Sequence, residues 1–138
     1  MRFAYSWLME VSSLARAAID QWHEAVSDKD LAAARRAAAD PIVVSGPRGA
    51  ARITGDQFAD WIVRSGIEMR ALTHHPVTDR VVVVEQHVRW PPSTDWTTLA
   101  TVFRTSGDRV SAALRFPNLN AALDFAHMYV ELAATEVP

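Results

Sequence analysis

Glu85, His87 and Arg89 stand two residues apart, so in an extended chain all three project to one side, opposite Val84, Gln86, Val88 and Trp90. A carboxylate beside an imidazole is raw material for general acid–base chemistry, because each biases the protonation of the other. Glu85 and His87 are therefore the candidate catalytic pair. Exposure to solvent or a place in a subunit interface is the alternative, and the residues alone leave open which side of the strand meets a pocket. Arg115 lies between Leu114 and Phe116, on the side of Ser111 and Ala113. If that side faces an apolar cavity, its guanidinium anchors an anion or a carbonyl; otherwise it pairs with Glu85 on a neighbouring strand. Arg48, between Pro47 and Gly49, either reaches over a pocket mouth or sits on a surface loop. Trp22 and Trp90 complete the candidate ligand-binding set, with Trp61 and Trp96 as further core or wall aromatics.

Other patterns exclude function classes. His74 and His75 are adjacent, so in a strand they point to opposite faces, and neither has a carboxylate or second histidine at ligand spacing. No metal site is expected. His23 and His127 are single histidines on helical stretches and read as solvated or capping residues. There is no glycine-rich phosphate loop, no strained nucleophile turn and no catalytic triad, so no cofactor is implied. The net charge of -2 over 138 residues offers no excess of cations to neutralise phosphates, and nucleic acid is not an expected partner. Cysteine is absent, which removes disulfides, thiolate nucleophiles and cysteine-ligated metals and fits a reducing cytoplasm. Phe3, Tyr5, Trp7 and Leu8 make an apolar start that Glu10 interrupts well short of a signal peptide or membrane span. Residues 1–12 read as an N-terminal extension, either a simple lead-in or an arm packing on a partner subunit.

The elements that must position these groups follow from periodicity. A first helix starts after Ser12 or Ser13, with Leu14, Ala18, Trp22 and Ala25 or Val26 on one stripe, Ile19 beside it, and Arg16, Asp20, His23 and Glu24 facing away. Asp30 caps a second helix over residues 31–39, ended by Pro41. Ile42, Val43 and Val44 make a short strand, the Ser45 to Gly49 turn follows, and Arg52 and Ile53 return. Thr54 and Gln57 have capping-box spacing before a third helix over residues 57–65, buried by Phe58, Trp61 and Ile62 and stopped by Gly66. Strands follow over residues 67–78, 81–90, 96–105 and 109–116, joined by turns that favour antiparallel neighbours. Asn118 opens a last helix over residues 119–133 with a wide apolar face.

The run from Asp30 and Leu31 through Asp40, Pro41 and Ile42 to Val44, followed by a Gly/Pro loop, resembles the second helix and first strand of the nuclear transport factor 2-like superfamily. That superfamily includes SnoaL-like polyketide cyclases, ketosteroid isomerases and limonene epoxide hydrolases. The resemblance extends through Arg80 to Gln86, Val102 to Arg104, Gly107 to Val110, and Arg115-Phe116. It covers roughly residues 13–123, through loose patterns of a fold and not of an activity. It implies an α+β fold, a cone-shaped curved antiparallel sheet packed on three helices from the N-terminal half; to this the residue patterns add a C-terminal helix, and the length indicates one domain over residues 13–138. By the same resemblance, the isomerases' oxyanion-stabilising tyrosine falls on Trp22 and their aspartate base on Gly46, before Pro47. An indole still donates a hydrogen bond, but glycine cannot abstract a proton. The expectation is a small-molecule-binding domain, with lyase, isomerase or cyclase chemistry independent of any cofactor as one option. The alternative is a non-catalytic dimeric interaction module. A homodimer is expected because the strands carry apolar residues on both faces, more than three helices can cover.

Overall fold

A sheet with apolar residues on both faces needs cover on both, and the chain provides helices on either side. The computed structural model describes the backbone of residues 2–136 and the side chains of residues 13–136. Its elements are α1 (Arg2–Asp28), α2 (Leu31–Ala37), β1 (Ala38–Gly46), β2 (Gly49–Ile53), α3 (Gly55–Ser65), β3 (Glu68–Pro76), β4 (Val81–Arg89), β5 (Thr97–Ser106), β6 (Arg109–Phe116) and α4 (Leu119–Thr135). The strands form one six-stranded sheet in the order β2-β1-β6-β5-β4-β3. Four of the five pairings are antiparallel, but β1 runs parallel to β6, so the sheet is mixed. No turn joins β1 to β6; the chain between them passes through α3 and four strands, which leaves their relative direction free of the hairpin constraint.

The sheet curves where its registers slip, between Ala71 and Thr73 in β3, between Arg104 and Thr105 opposite β6, and between Ala38 and Val43 in β1. Each extra residue bends its strand and increases local twist. On the inner face, Ile19, Trp22 and Val26 of α1 and Phe58 and Ile62 of α3 meet Val82, Val84, Val88 and Phe103 in the main core. On the outer face, Val81, Val83, Ala100 and Val102 pack against Ala122 and Ala126 of α4. Full burial of Phe58 or Phe103 is worth roughly 2–3 kcal/mol each against exposure.

Helix ends follow their local chemistry. Thr54 and Gln57 form the reciprocal capping box, with Gln57 N–H donating to Thr54 Oγ1 at 3.2 Å and Thr54 N–H to Gln57 Oε1 at 2.8 Å. Gly66 closes α3 at φ 60°, a left-handed conformation that glycine adopts without steric cost. Asp30 and Asn118 cap α2 and α4. Three local expectations shift. The first helix begins ahead of Ser12, at Arg2; whether residues 1–12 are a simple lead-in or an arm on a partner subunit rests on side chains outside the described residues. The second helix stops at Ala37, and Pro41 sits inside β1 instead of terminating a helix. On α1 the buried stripe is Ala15, Ala18, Ile19, Trp22, Ala25 and Val26, whereas Leu14 is exposed and His23 is buried. No helix of the described residues is long and apolar enough to cross a membrane.

Candidate functional site

Between the inner sheet face and helices α1 and α3 lies a cavity of about 350 Å³. Its aromatic wall comes from two helices, because Trp22 on α1 and Phe58 and Trp61 on α3 each fall on the buried stripe of their own helix. Trp22 and Phe58 stack at 5.9 Å with planes 15° apart, and Phe58 and Trp61 at 6.2 Å and 13°. Three near-parallel rings therefore run along one side, and Met69, Ala113, Val44 and Ile53 close the rest with apolar groups. Arg64 and Arg115 also line the cavity, and both are exposed residues overall. The Arg115 guanidinium carbon sits 4.9 Å from the Trp90 ring centre, a cation–π contact that fixes where the charge stands. Burial of its head group lowers the Arg115 pKa, but the residue as a whole remains exposed, so desolvation is partial and it stays a cation.

The polar interior is a directed relay. His23 Nδ1 lies 2.8 Å from the Ile19 carbonyl oxygen, which can only accept, so Nδ1 carries the proton. Burial, opposed by that same backbone bond, pulls the His23 pKa down to about 4, so the ring is neutral and Nε2 is an acceptor. Gln86 Nε2 donates to it at 2.7 Å and also faces Met69 Sδ at 4.0 Å, leaving Gln86 Oε1 to accept from Thr101 Oγ1 at 2.7 Å. Of these residues Thr101 and Met69 line the cavity. Beside them, the buried indole Nε1–H of Trp22 has no protein partner among the described residues.

The expected site residues separate into two groups. Trp22 and Arg115 are in the cavity wall. Trp90 holds Arg115 from behind, and Arg48 is exposed in the β1–β2 turn, next to the wall residue Pro47. Glu85 and His87 are on the other face of β4, the side that α4 covers farther along the sheet; the His87 ring lies 6.5 Å from Trp96. The inward residues of β4 are Val82, Val84, Gln86 and Val88. The alternative Arg115–Glu85 pair is not formed; among the described residues no carboxylate lies within 4.0 Å of Arg115. Ser111, expected on the same side as Arg115, instead bonds to Arg104 at 2.9 Å, which in turn reaches Tyr129 of α4. The reason is the bulge: Val110 pairs with Thr105 and Ala112 with Arg104, so Ser111 is the extra residue and the alternation changes phase there.

Thr101, Met69 and Arg64 are residues of this site to which sequence reasoning gives no role; it sets His23 on the outward face of its helix and leaves open whether the Gln86 side of the strand meets a pocket. An inward position in alternation with Leu99 and Phe103 was the one available signal for Thr101. No group of three or more His, Cys, Asp or Glu able to hold a metal ion occurs among the described residues.

An α+β cone with helices on its inner face and an aromatic-walled cavity beneath them defines the class. No family model matches this chain, and no curated protein does. Solved structures do. A nuclear transport factor 2-like protein from Cytophaga hutchinsonii is 8% identical, with a TM-score of 0.64 over 74% of this chain and 88% of that one. The delta 5-3-ketosteroid isomerase of a Mycobacterium species is 13% identical, with a TM-score of 0.65 over 78% and 95%. A Mycobacterium tuberculosis protein solved in complex with estradiol-17beta-hemisuccinate is 10% identical, again at 0.65 over 78% and 95%. The chain has the nuclear transport factor 2-like fold. The two positions that the resemblance sets against the isomerases' tyrosine and aspartate, Trp22 and Gly46, both line the cavity.

Proposed function

We propose that this protein binds a flat, largely apolar small molecule in the cavity between α1, α3 and the sheet. The observation that carries this reading is the Trp22 indole N–H, buried in an apolar wall without a protein partner. Leaving such a donor unsatisfied costs about 1–3 kcal/mol, which a ligand acceptor recovers. A cavity of about 350 Å³ is at the small end of the range for organic ligands. The ring ladder suits a planar skeleton, and the arginines at the open side suit a polar or anionic tail. The estradiol-17beta-hemisuccinate held by one structural neighbour, a fused-ring skeleton with an acidic tail, is in keeping with such a shape.

The wall includes no Asp, Glu or His among its described residues, and the buried histidine behind it has both ring nitrogens committed. Binding is therefore the better-supported role, and isomerase- or cyclase-like proton abstraction lacks a base in this wall. Glu85 and His87 take no part in this proposal. We also propose a homodimer, supported by apolar side chains that α4 turns to solvent.

A thermal-shift screen of flat alcohols, ketones and acids tests the binding reading, with Ala113→Leu as the blocking variant. Ligands are expected to raise the melting temperature of wild type and to lose that effect in Ala113→Leu. Equal shifts in both proteins would place the binding site elsewhere.

A further inference from the structure

We propose that a second cavity, on the outer face of the sheet beneath α4, binds a small monocarboxylic acid, with the apolar body in the cavity and the carboxylate on Arg104 and Tyr129. This site shares no residue with the cavity between α1, α3 and the sheet. It stands or falls independently of that one.

The cavity follows from strand register and from the bulge in β6. Past Ser111, Ala112 pairs with Arg104 and Leu114 with Val102, so all four begin on the outer face, while Ala113 and Phe103 turn inward. Ala112, Val102 and Leu114, with Val43 of the neighbouring β1, make the floor, and Phe125 and Tyr129 of α4 stand over it. Because α4 packs on the sheet through Ala122 and Ala126, and Ala112 is equally small, the space under the two rings is left open. It measures about 140 Å³ and its surface is almost wholly apolar. An apolar cavity of roughly 150 Å³ stays dry and takes benzene, so a single ring or a short alkyl chain is the size of group that fits.

Arg104 and Tyr129 both line this cavity, and their polar ends form a cluster of donors. Arg104 Nε–H donates to Ser111 Oγ at 2.9 Å and an Nη1–H to Tyr129 Oη at 3.0 Å. Ser111 is satisfied in return, since its hydroxyl donates to the Arg104 carbonyl oxygen at 3.1 Å. The remaining guanidinium N–H groups and the Tyr129 O–H have no acceptor among the described side chains, and no carboxylate there lies within 4.0 Å of Arg104. A half-buried cation held by two neutral hydroxyls thus keeps its charge uncompensated. With 3.0 Å between Nη1 and Oη, one carboxylate can take hydrogen bonds from both residues at once, its two oxygens matching the guanidinium fork. A single cation suits a monoanion better than a phosphate dianion, and the apolar cavity beside it demands an apolar body on the same molecule.

Benzoate, benzamide and acetate at neutral pH separate the two parts, because benzamide keeps the ring without the charge and acetate the charge without the ring. In methyl NMR, benzoate is expected to shift Val43, Val102 and Leu114 saturably, with the same shifts in Ala113→Leu, which blocks the inner cavity. It should bind about tenfold or more tightly than benzamide, and acetate should be weaker than either. Arg104→Met should bring benzoate down to the affinity of benzamide, and Tyr129→Phe should weaken benzoate several-fold. Shifts confined to Val44, Ile53 and Met69 would place the acid in the inner cavity and overturn the proposal. Equal affinities for benzoate and benzamide, or no saturable shift at all, would overturn it too. An affinity that rises on dilution of the protein would mean that a second copy of the chain fills the cavity, and would also count against it. Should Arg104→Met fail to fold because Ser111 and Tyr129 lose their partner, the wild-type maps and Tyr129→Phe still decide the matter.

Discussion

His23 is the residue on which the interior depends, and its protonation has a predictable cost. Its pKa is drawn down to about 4 mainly by burial, helped by nearby His74 and opposed by the Ile19 bond and Asp20. In the unfolded chain it titrates near 6.5, so between those values the unfolded state binds the extra proton. Stability is therefore complete above about pH 6.5 and declines as pH falls toward 4, by roughly 3 kcal/mol from this residue. His74, whose pKa burial also lowers, acts in the same direction. Denaturant titrations at a series of pH values should show this decline, and His23→Leu, though less stable throughout, should show a shallower one. An equal slope in both proteins would assign the acid sensitivity to other groups. The same residue shows what was and was not legible in the site. Trp22 and Arg115 were readable because an aromatic on a helical stripe and an arginine beside an inward alanine are local patterns. The relay was not, because its members lie 63 and 15 positions apart in sequence and meet only once the sheet has closed on α1. Nor was the orientation of β4, since Val81 to Val84 are buried on both faces and alternation carries no sign when both sides are dry.

At the scale of elements, α3 matters most, because it supplies Gln57, Phe58, Trp61 and Arg64 to the cavity. Its start rests on the Thr54 capping box and its end on Gly66. Thr54→Ala should cost about 1 kcal/mol in denaturant unfolding and weaken ligand binding by loosening the aromatic wall. Gly66→Ala should cost about as much or more, since alanine at φ 60° is strained. Unfolding midpoints unchanged from wild type would show that tertiary packing alone holds this helix. Both signals were visible in the sequence, because caps and left-handed stops are written within a few residues. The parallel pairing of β1 with β6 was not, since two segments so remote share no local signature. The early end of α2 belongs with it: Ala38 and Ala39 favour a helix by propensity, yet they are drawn into β1, where Ala38 is buried beside Val110. Tertiary pairing outweighed a preference worth a few tenths of a kcal/mol per residue.

For the molecule as a whole, the question is what α4 covers and what it leaves open. Its inward residues Ala122 and Ala126 shield Val81, Val83, Ala100 and Val102, so removing residues 119–136 would expose the outer sheet face. Such a truncation should aggregate or melt lower, and an unchanged melting temperature with a monodisperse profile would contradict that role for α4. The other side of the helix is apolar as well: Met128 is 63% exposed and Leu132 65%, one turn apart. On a helix already half buried, that leaves a hydrophobic strip that a second copy of the chain can cover about a two-fold axis, each strip meeting its equivalent. Light scattering at micromolar concentration is expected to give twice the monomer mass. The double variant Met128→Lys, Leu132→Lys should shift it to the monomer by placing like charges face to face, without disturbing the inward residues or the ligand cavity on the opposite side of the sheet. A wild-type monomer would refute the dimer outright. A dimer that persists in the double variant would place the contact on another surface, for which the half-buried Glu85, His87 and Trp96 side of the sheet is the nearest ground.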